Sequence, residues 1–146
     1  MSIKFDASKL KNFKGVSNFR GQLLRELQEA TKDAVNAVQN KTKQEIAKGA
    51  PRSGRLRKAK KRGSRRTRSS AKGEYPKADT GTLGRSIMAR VSGLNGQVGS
   101  HLKYAEILES DKLDRKHVTR AAKELEPFII NLARQAVRNS ARKARR

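Results

Sequence analysis

Apolar residues return every three or four positions between Ser17 and Lys48. Leu23, Leu27, Ala30, Ala34, Val38 and Ile46 fall on one stripe, the pattern of a long helix with one buried face. Ser17 is placed to cap its start, and Gly49 with Pro51 to stop it. At ~1.5 Å per residue the helix would run roughly 48 Å. A small domain cannot cover that length fully, so part of the stripe is expected to meet another subunit; a helix lying across the domain's own sheet explains the near half equally well.

The periodicity then fails. Arg52 to Lys77 is poor in apolar residues and rich in Ser, Gly, Lys and Arg, which reads as a loop or disordered insert. Asp79-Thr80-Gly81 turns the chain. From Ser86 to Val91 the pattern alternates, with Ile87, Ala89 and Val91 on one side, as in a half-buried strand. Asn95-Gly96 predicts a hairpin turn with positive φ at both central positions, and Gln97 to Ser100 the returning strand. Tyr104 to Glu109 reads as a short helical turn. A second long helix is expected from about Arg115, carrying Val118, Ala122, Leu125, Ile129, Leu132 and Ala136 at helical spacing. Pro127 should kink it or restart it after Leu125. After Val137 the pattern dissolves into a basic tail. The expected class is α+β: a small antiparallel hairpin sheet packed with long N-terminal and C-terminal helices, plus a disordered or extended basic insert. One domain spans 1–146, with the insert at 52–77 and the tail at 138–146.

Composition sharpens this. Leu, Ile, Val and Phe number 29 of 146 residues, close to the ~20% below which a highly charged chain tends toward disorder. Removing 52–73 and 138–146 leaves 115 residues that hold 28 of them, so a small core is feasible there. A core that thin would gain from burial between subunits. The formal charge of +23 divides the same way: +11 between Arg52 and Lys72, +5 in the last nine residues, +7 elsewhere. Nucleic acid is the leading partner for that distribution. The basic run lacks the apolar face of an interfacial helix, no stretch approaches the ~20 apolar residues of a membrane span, and the first residues do not read as a signal peptide. Neither a membrane nor a small-molecule substrate is expected. The chain has no cysteine, which fits a reducing cytoplasm and leaves no disulfide or thiolate metal site.

Catalysis has little to work with. His101 and His117 stand in different elements without a convergent carboxylate, and each reads as a polar surface or partly buried side chain. Glu106, Glu109, Asp111 and Asp114 match no calcium loop and are expected to pair with nearby Lys or Arg. The glycines at 81, 84, 93, 96 and 99 lack the ending of a phosphate loop. No enzyme, cofactor or metal is expected. A charge run is often only a solvated segment. Eleven basic residues without a counter-charge inside a chain instead point to phosphate contact without sequence reading. The run holds no interleaved aromatics, so base stacking is not indicated. The residues expected to touch nucleic acid are Arg55, Arg57, Lys58, Lys60, Lys61, Arg62, Arg65, Arg66, Arg68 and Lys72.

Three stretches together resemble a known family, the tail-completion or head–tail joining proteins of long-tailed bacteriophages. Gly73-Glu74-Tyr75-Pro76 followed by Thr80-Gly81-Thr82-Leu83-Gly84-Arg85-Ser86-Ile87 is similar to the family's Gly-Glu-x-Pro lead and Thr-Gly-x-Leu-x-x-Ser-Ile. Val98-Gly99-Ser100, then Tyr104-Ala105 and Glu109, resembles its strand end, Tyr-Ala and glutamate. Asp114-Arg115 onward sits where the family has its C-terminal helix. Ser110, and Lys116-His117 after Arg115, depart from the pattern. The resemblance implies a homo-oligomer, a hexameric ring in the virion neck assembled in the host cytoplasm, with double-stranded viral DNA in its channel. Head-side adaptor or portal-associated proteins and tail-tube or tail-terminator proteins would be its neighbours. The motif residues have structural work to do. Thr80 and Gly81 turn the chain into the sheet, and Leu83 and Ile87 face the core beside Ser86. Tyr104 and Ala105 pack the short helix, and Glu109 caps or pairs with Arg115. Two other readings stand beside this one: a nucleic-acid-binding protein of nucleoid or ribosomal type, and a neck protein whose insert grips an acidic protein face.

Overall fold

The computed structural model describes residues 17–48, 70–76 and 81–144. Its architecture is α+β. Helix α1 (Ser17–Lys48) is followed by α2 (Thr82–Ser86), strands β1 (Ile87–Ser92) and β2 (Asn95–Ser100), and helices α3 (Lys103–Glu109), α4 (Val118–Glu124) and α5 (Glu126–Ala144). The strands form one antiparallel pair, in register from Ile87 with Ser100 to Ser92 with Asn95.

Every other element leans on α1. Ile46 packs with Leu83, Ile87 and Ala105. Val38 packs with Ala121 and Ala122, and Leu23 and Leu27 with Ala136. Ile129 lies against the Val38 cluster, while Ala136 reaches Leu27, so α5 runs antiparallel to α1. The expected stripe is the buried face, with only Ala30 left half-exposed. Thr31 and Thr42 interrupt the apolar pattern yet are buried. Each hydroxyl donates to the carbonyl four residues back, at Leu27 and Val38, at 2.7 Å, which satisfies the polar atom inside the helix. Gly49 and Pro51 lie outside the described residues, as does the side chain of Ser17, so the expected stop and cap do too.

The connection into the sheet differs from expectation. Gly81 sits at φ 73°, a left-handed geometry that glycine adopts without a Cβ clash, and a helical turn, α2, intervenes before the strand. Ser86 therefore ends a helix. Its hydroxyl donates to Leu83 O at 2.7 Å and lies 2.6 Å from that of Ser100, tying the helix end to the end of β2. Leu83 and Ile87 are in the core, as their spacing required.

The hairpin turn is displaced. The two-residue loop is Gly93-Leu94, with Gly93 at φ 58° and Leu94 outside the positive-φ region, as a type II′ turn demands. Asn95 and Gly96 already belong to β2. Gly96 is required for a different reason: a Cβ there would stand 2.2 Å from Val35 Cγ2. The hairpin can lie this close to α1 only without a side chain at 96.

Near the C-terminus, α4 begins at Val118, three residues later than expected, and gives way at Leu125. Pro127 then occupies the second position of α5, where its missing N–H costs nothing. Helix α5 continues to Ala144, so residues 138–144 are not a structureless tail. Ser140 is fully buried and donates to Ala136 O at 2.7 Å, and Lys143 pairs with Glu26.

The close approach at Gly96 gives a direct test. Gly96→Ala should destabilise the fold by about 1–3 kcal/mol in thermal or urea melts. Adding Val35→Ala should recover part of the loss. Gly99→Ala, with nothing within 4 Å of its new Cβ, should be close to neutral.

Candidate functional site

Of the residues expected to meet nucleic acid, Arg55, Arg57, Lys58, Lys60, Lys61, Arg62, Arg65, Arg66 and Arg68 lie outside the described residues, as does Thr80 of the motif. Lys72 is described and exposed. Its surroundings fix where the insert rejoins the domain. Gly73 N–H donates to Asp114 O at 2.7 Å, and the Arg120 guanidinium of α4 donates to Gly73 O. Arg120 also lies over the Tyr75 ring, 4.9 Å from its centroid, a geometry in which the ring quadrupole attracts the cation. Tyr75 is 5% exposed. Burial, with the Glu124 carboxylate nearby, raises its phenol well above the ordinary range. Residues 70–76 are thus irregular but packed, and the chain is already seated on the domain at Ser70, which is itself buried.

Beside this anchor, the glutamate of the short helix takes a role the sequence offered as one of two. Glu109 Oε1 accepts the backbone N–H groups of His117 at 2.9 Å and Val118 at 2.7 Å, capping α4 from outside. Arg115 Nε is buried without a hydrogen-bond partner, so it does not bond Glu109, and the Arg115 backbone N–H donates to Leu108 O at 3.1 Å. His117 fills that place instead, with Nδ1 3.0 Å from Glu109 Oε1 and 1% exposure. It is therefore neither a surface nor a partly buried residue. Burial alone would raise the Glu109 carboxyl. The imidazole 3.0 Å away and the two backbone N–H groups outweigh it and hold the carboxyl down at about 2. Asp111 pairs with Lys116 at 2.7 Å. Among the described residues no three metal-ligating side chains come together.

Tyr104 does not pack α3 against the core. It is 43% exposed, and Ala105 alone enters the core from that pair, while Ile107 is 58% exposed. The remaining feature is an apolar groove of about 570 Å³ between α1, β2, α4 and α5. Its floor is α1 from Leu23 to Val38, and its walls include Val98, Ala122 and Ile129. It stays open because the facing residues are small: Ala30 and Ala34 on α1, Gly96 on β2 and Ala133 on α5. Ile130 and Val137, 44% and 48% exposed, lie on its open side. Arg134 lines the groove, and Arg138 and Arg142 follow it at four-residue steps along α5, none in an ion pair among the described residues. Arg134 alone borders the apolar face; Arg138 and Arg142 line a separate hollow further along α5. Among the described residues, no helix is long and apolar enough to cross a membrane.

The capping carboxylate should be visible in acid. Its folded pKa lies below the ordinary 4.5, so its stabilisation is complete above that value and is lost as pH falls toward about 2. Glu109→Gln should cost about 1–3 kcal/mol at neutral pH. The gap from wild type should shrink between about pH 5 and about pH 2; a pH-independent gap in melting experiments would exclude the assignment. No protein-family model, curated protein or solved structure matches this chain.

Proposed function

We propose that this chain is a non-catalytic, ring-forming structural protein of the phage neck, closing the head–tail junction around double-stranded DNA. The observation that supports it most is the open apolar groove on a chain of net charge +23. A protein that worked alone on nucleic acid would gain nothing from leaving that face uncovered, since contiguous apolar surface of this kind marks an interface. Ile130 and Val137 are already about half covered (44% and 48% exposed), so covering the rest contributes ~0.7–1.5 kcal/mol each, and a few such contacts would assist a thin core. The order of long helix, Thr-Gly-x-Leu turn, hairpin, short helix and long helix agrees with the same reading.

In such a ring the mechanism is electrostatic and geometric. Copies close a channel through which any sequence must pass. Lys and Arg on the insert neutralise phosphates without reading bases. The alternative of a nucleoid- or ribosomal-type binder is favoured by charge alone and leaves the groove without a role.

Replacing the insert's Lys and Arg residues from Arg55 to Lys72 with Ser should weaken duplex binding at low salt and leave the melting temperature unchanged. The dependence of log K on log salt should flatten by roughly 0.9 for each phosphate no longer neutralised. Equal affinity of the two proteins would remove DNA from the proposal and favour an acidic protein face as the insert's partner.

A further inference from the structure

We infer that the C-terminal half of α5 is a second nucleic-acid face, on which Arg134, Arg138 and Arg142 hold the phosphates of a DNA duplex. The face is separate from the insert and serves whether or not copies of the chain close a ring. All three arginines are exposed, and among the described residues none takes part in an ion pair. From Pro127 to Ala144 the chain carries four cations and no carboxylate. Two carboxylates of α1 reach this end of α5, and both act on Lys143: Glu26 is bonded to it, and Glu29 lies within its field. Among the described residues, neither bonds an arginine.

The helix fixes their spacing. Steps of four residues put the arginines ~6 Å apart along the axis and within ~80° of one another around it. Arg134 to Arg142 therefore spans roughly 12 Å, over which one duplex strand presents three or four phosphates at ~3.4 Å each. Each guanidinium can fork onto phosphate oxygens. Arg138 and Arg142 also share a hollow of about 440 Å³ with Gln135, Asn139 and Ala141. Two guanidiniums and two carboxamides line it, and no carboxylate does, which suits an oxyanion that only accepts hydrogen bonds. An anionic lipid surface fits less well, because an interfacial helix inserts bulky apolar side chains beside its cations, and carboxamides edge this hollow. The insert leaves α1 after Lys48, whereas this part of α5 lies at the level of Leu23 and Leu27. At ~1.5 Å per residue that is roughly 30 Å along α1, so the two contributions to binding should add rather than substitute for each other.

The test compares the full-length wild type with Arg134→Gln/Arg138→Gln/Arg142→Gln, glutamine being about as helix-favouring as arginine. A control with the same loss of charge, Arg90→Gln/Lys103→Gln/Lys112→Gln, removes three exposed cations from β1 and the α3 region. Both should keep the wild-type melting temperature. Binding to a duplex of about 20 base pairs, read by fluorescence anisotropy across a salt series, should give the α5 variant a slope of log K on log salt shallower by roughly 2.7, at ~0.9 per phosphate. Wild type should then lose about 40-fold more affinity than that variant between about 50 and about 200 mM salt. If Arg134 proves structural at the groove and the triple variant melts early, Arg138→Gln/Arg142→Gln carries the test, with a slope change of roughly 1.8. An unchanged slope, or an equal change in the control, overturns the inference. So does an α5 variant that loses only its co-sedimentation with anionic vesicles, which would assign the face to a lipid surface. The insert variant separates this inference from the insert's assignment: if it alone loses affinity, the insert assignment stands and α5 is excluded, and if the α5 variant alone loses affinity, the reverse holds. If wild type binds no duplex, both fall.

Discussion

A single helix carries the whole fold. Burial of apolar surface against α1 is the one large favourable term available to a chain this poor in apolar residues, and three separate clusters draw on it at successive levels. Ile46 organises the α2–β1–α3 end, Val38 the α4 level, and Leu23 with Leu27 the far end of α5. A two-stranded hairpin alone is marginal in water; here it is held because Gly96 lets it lie directly on Val35. Removing any one layer would leave α1 with an exposed stripe.

The same economy explains the open groove. Small residues on α1, β2 and α5 allow close packing in places and leave unfilled space between them. Core density in proteins ordinarily excludes such space, and here the subunit's own side chains leave it unfilled, with Arg134 at its wall. The polar network around Glu109 does the opposite work. One carboxylate answers two otherwise orphaned N–H groups and a buried histidine, and so fixes where α4 starts and, through Asp114 and Arg120, where the insert returns.

Much of the architecture was legible because periodicity is local physics. The stripe from Leu23 to Ile46, the alternation from Ile87 to Val91 and the break at Leu125 before Pro127 all follow from side-chain spacing and a missing N–H. The errors share a cause. Asn95-Gly96 has the composition of a turn, yet its glycine answers a side chain of α1, far earlier in the chain. Residues 138–144 look like a soluble tail, yet Ser140 is bonded within α5 and Lys143 is held by α1. Tyr104 carries the bulk of a core residue and lies outside it, because Ala105 fills the narrow space over Ile46.

Sequence alone therefore determined the long helices, the two strands and their order, the stripe that organises the core and the segregation of charge away from it, since each depends on neighbours a few residues apart; the helical turn α2 it did not. Tertiary structure decided which glycine turns the hairpin, which partner Glu109 takes, and that an apolar groove lies beside Arg134. Those outcomes depend on residues distant in the chain meeting at a few ångströms, a relation that no local pattern encodes.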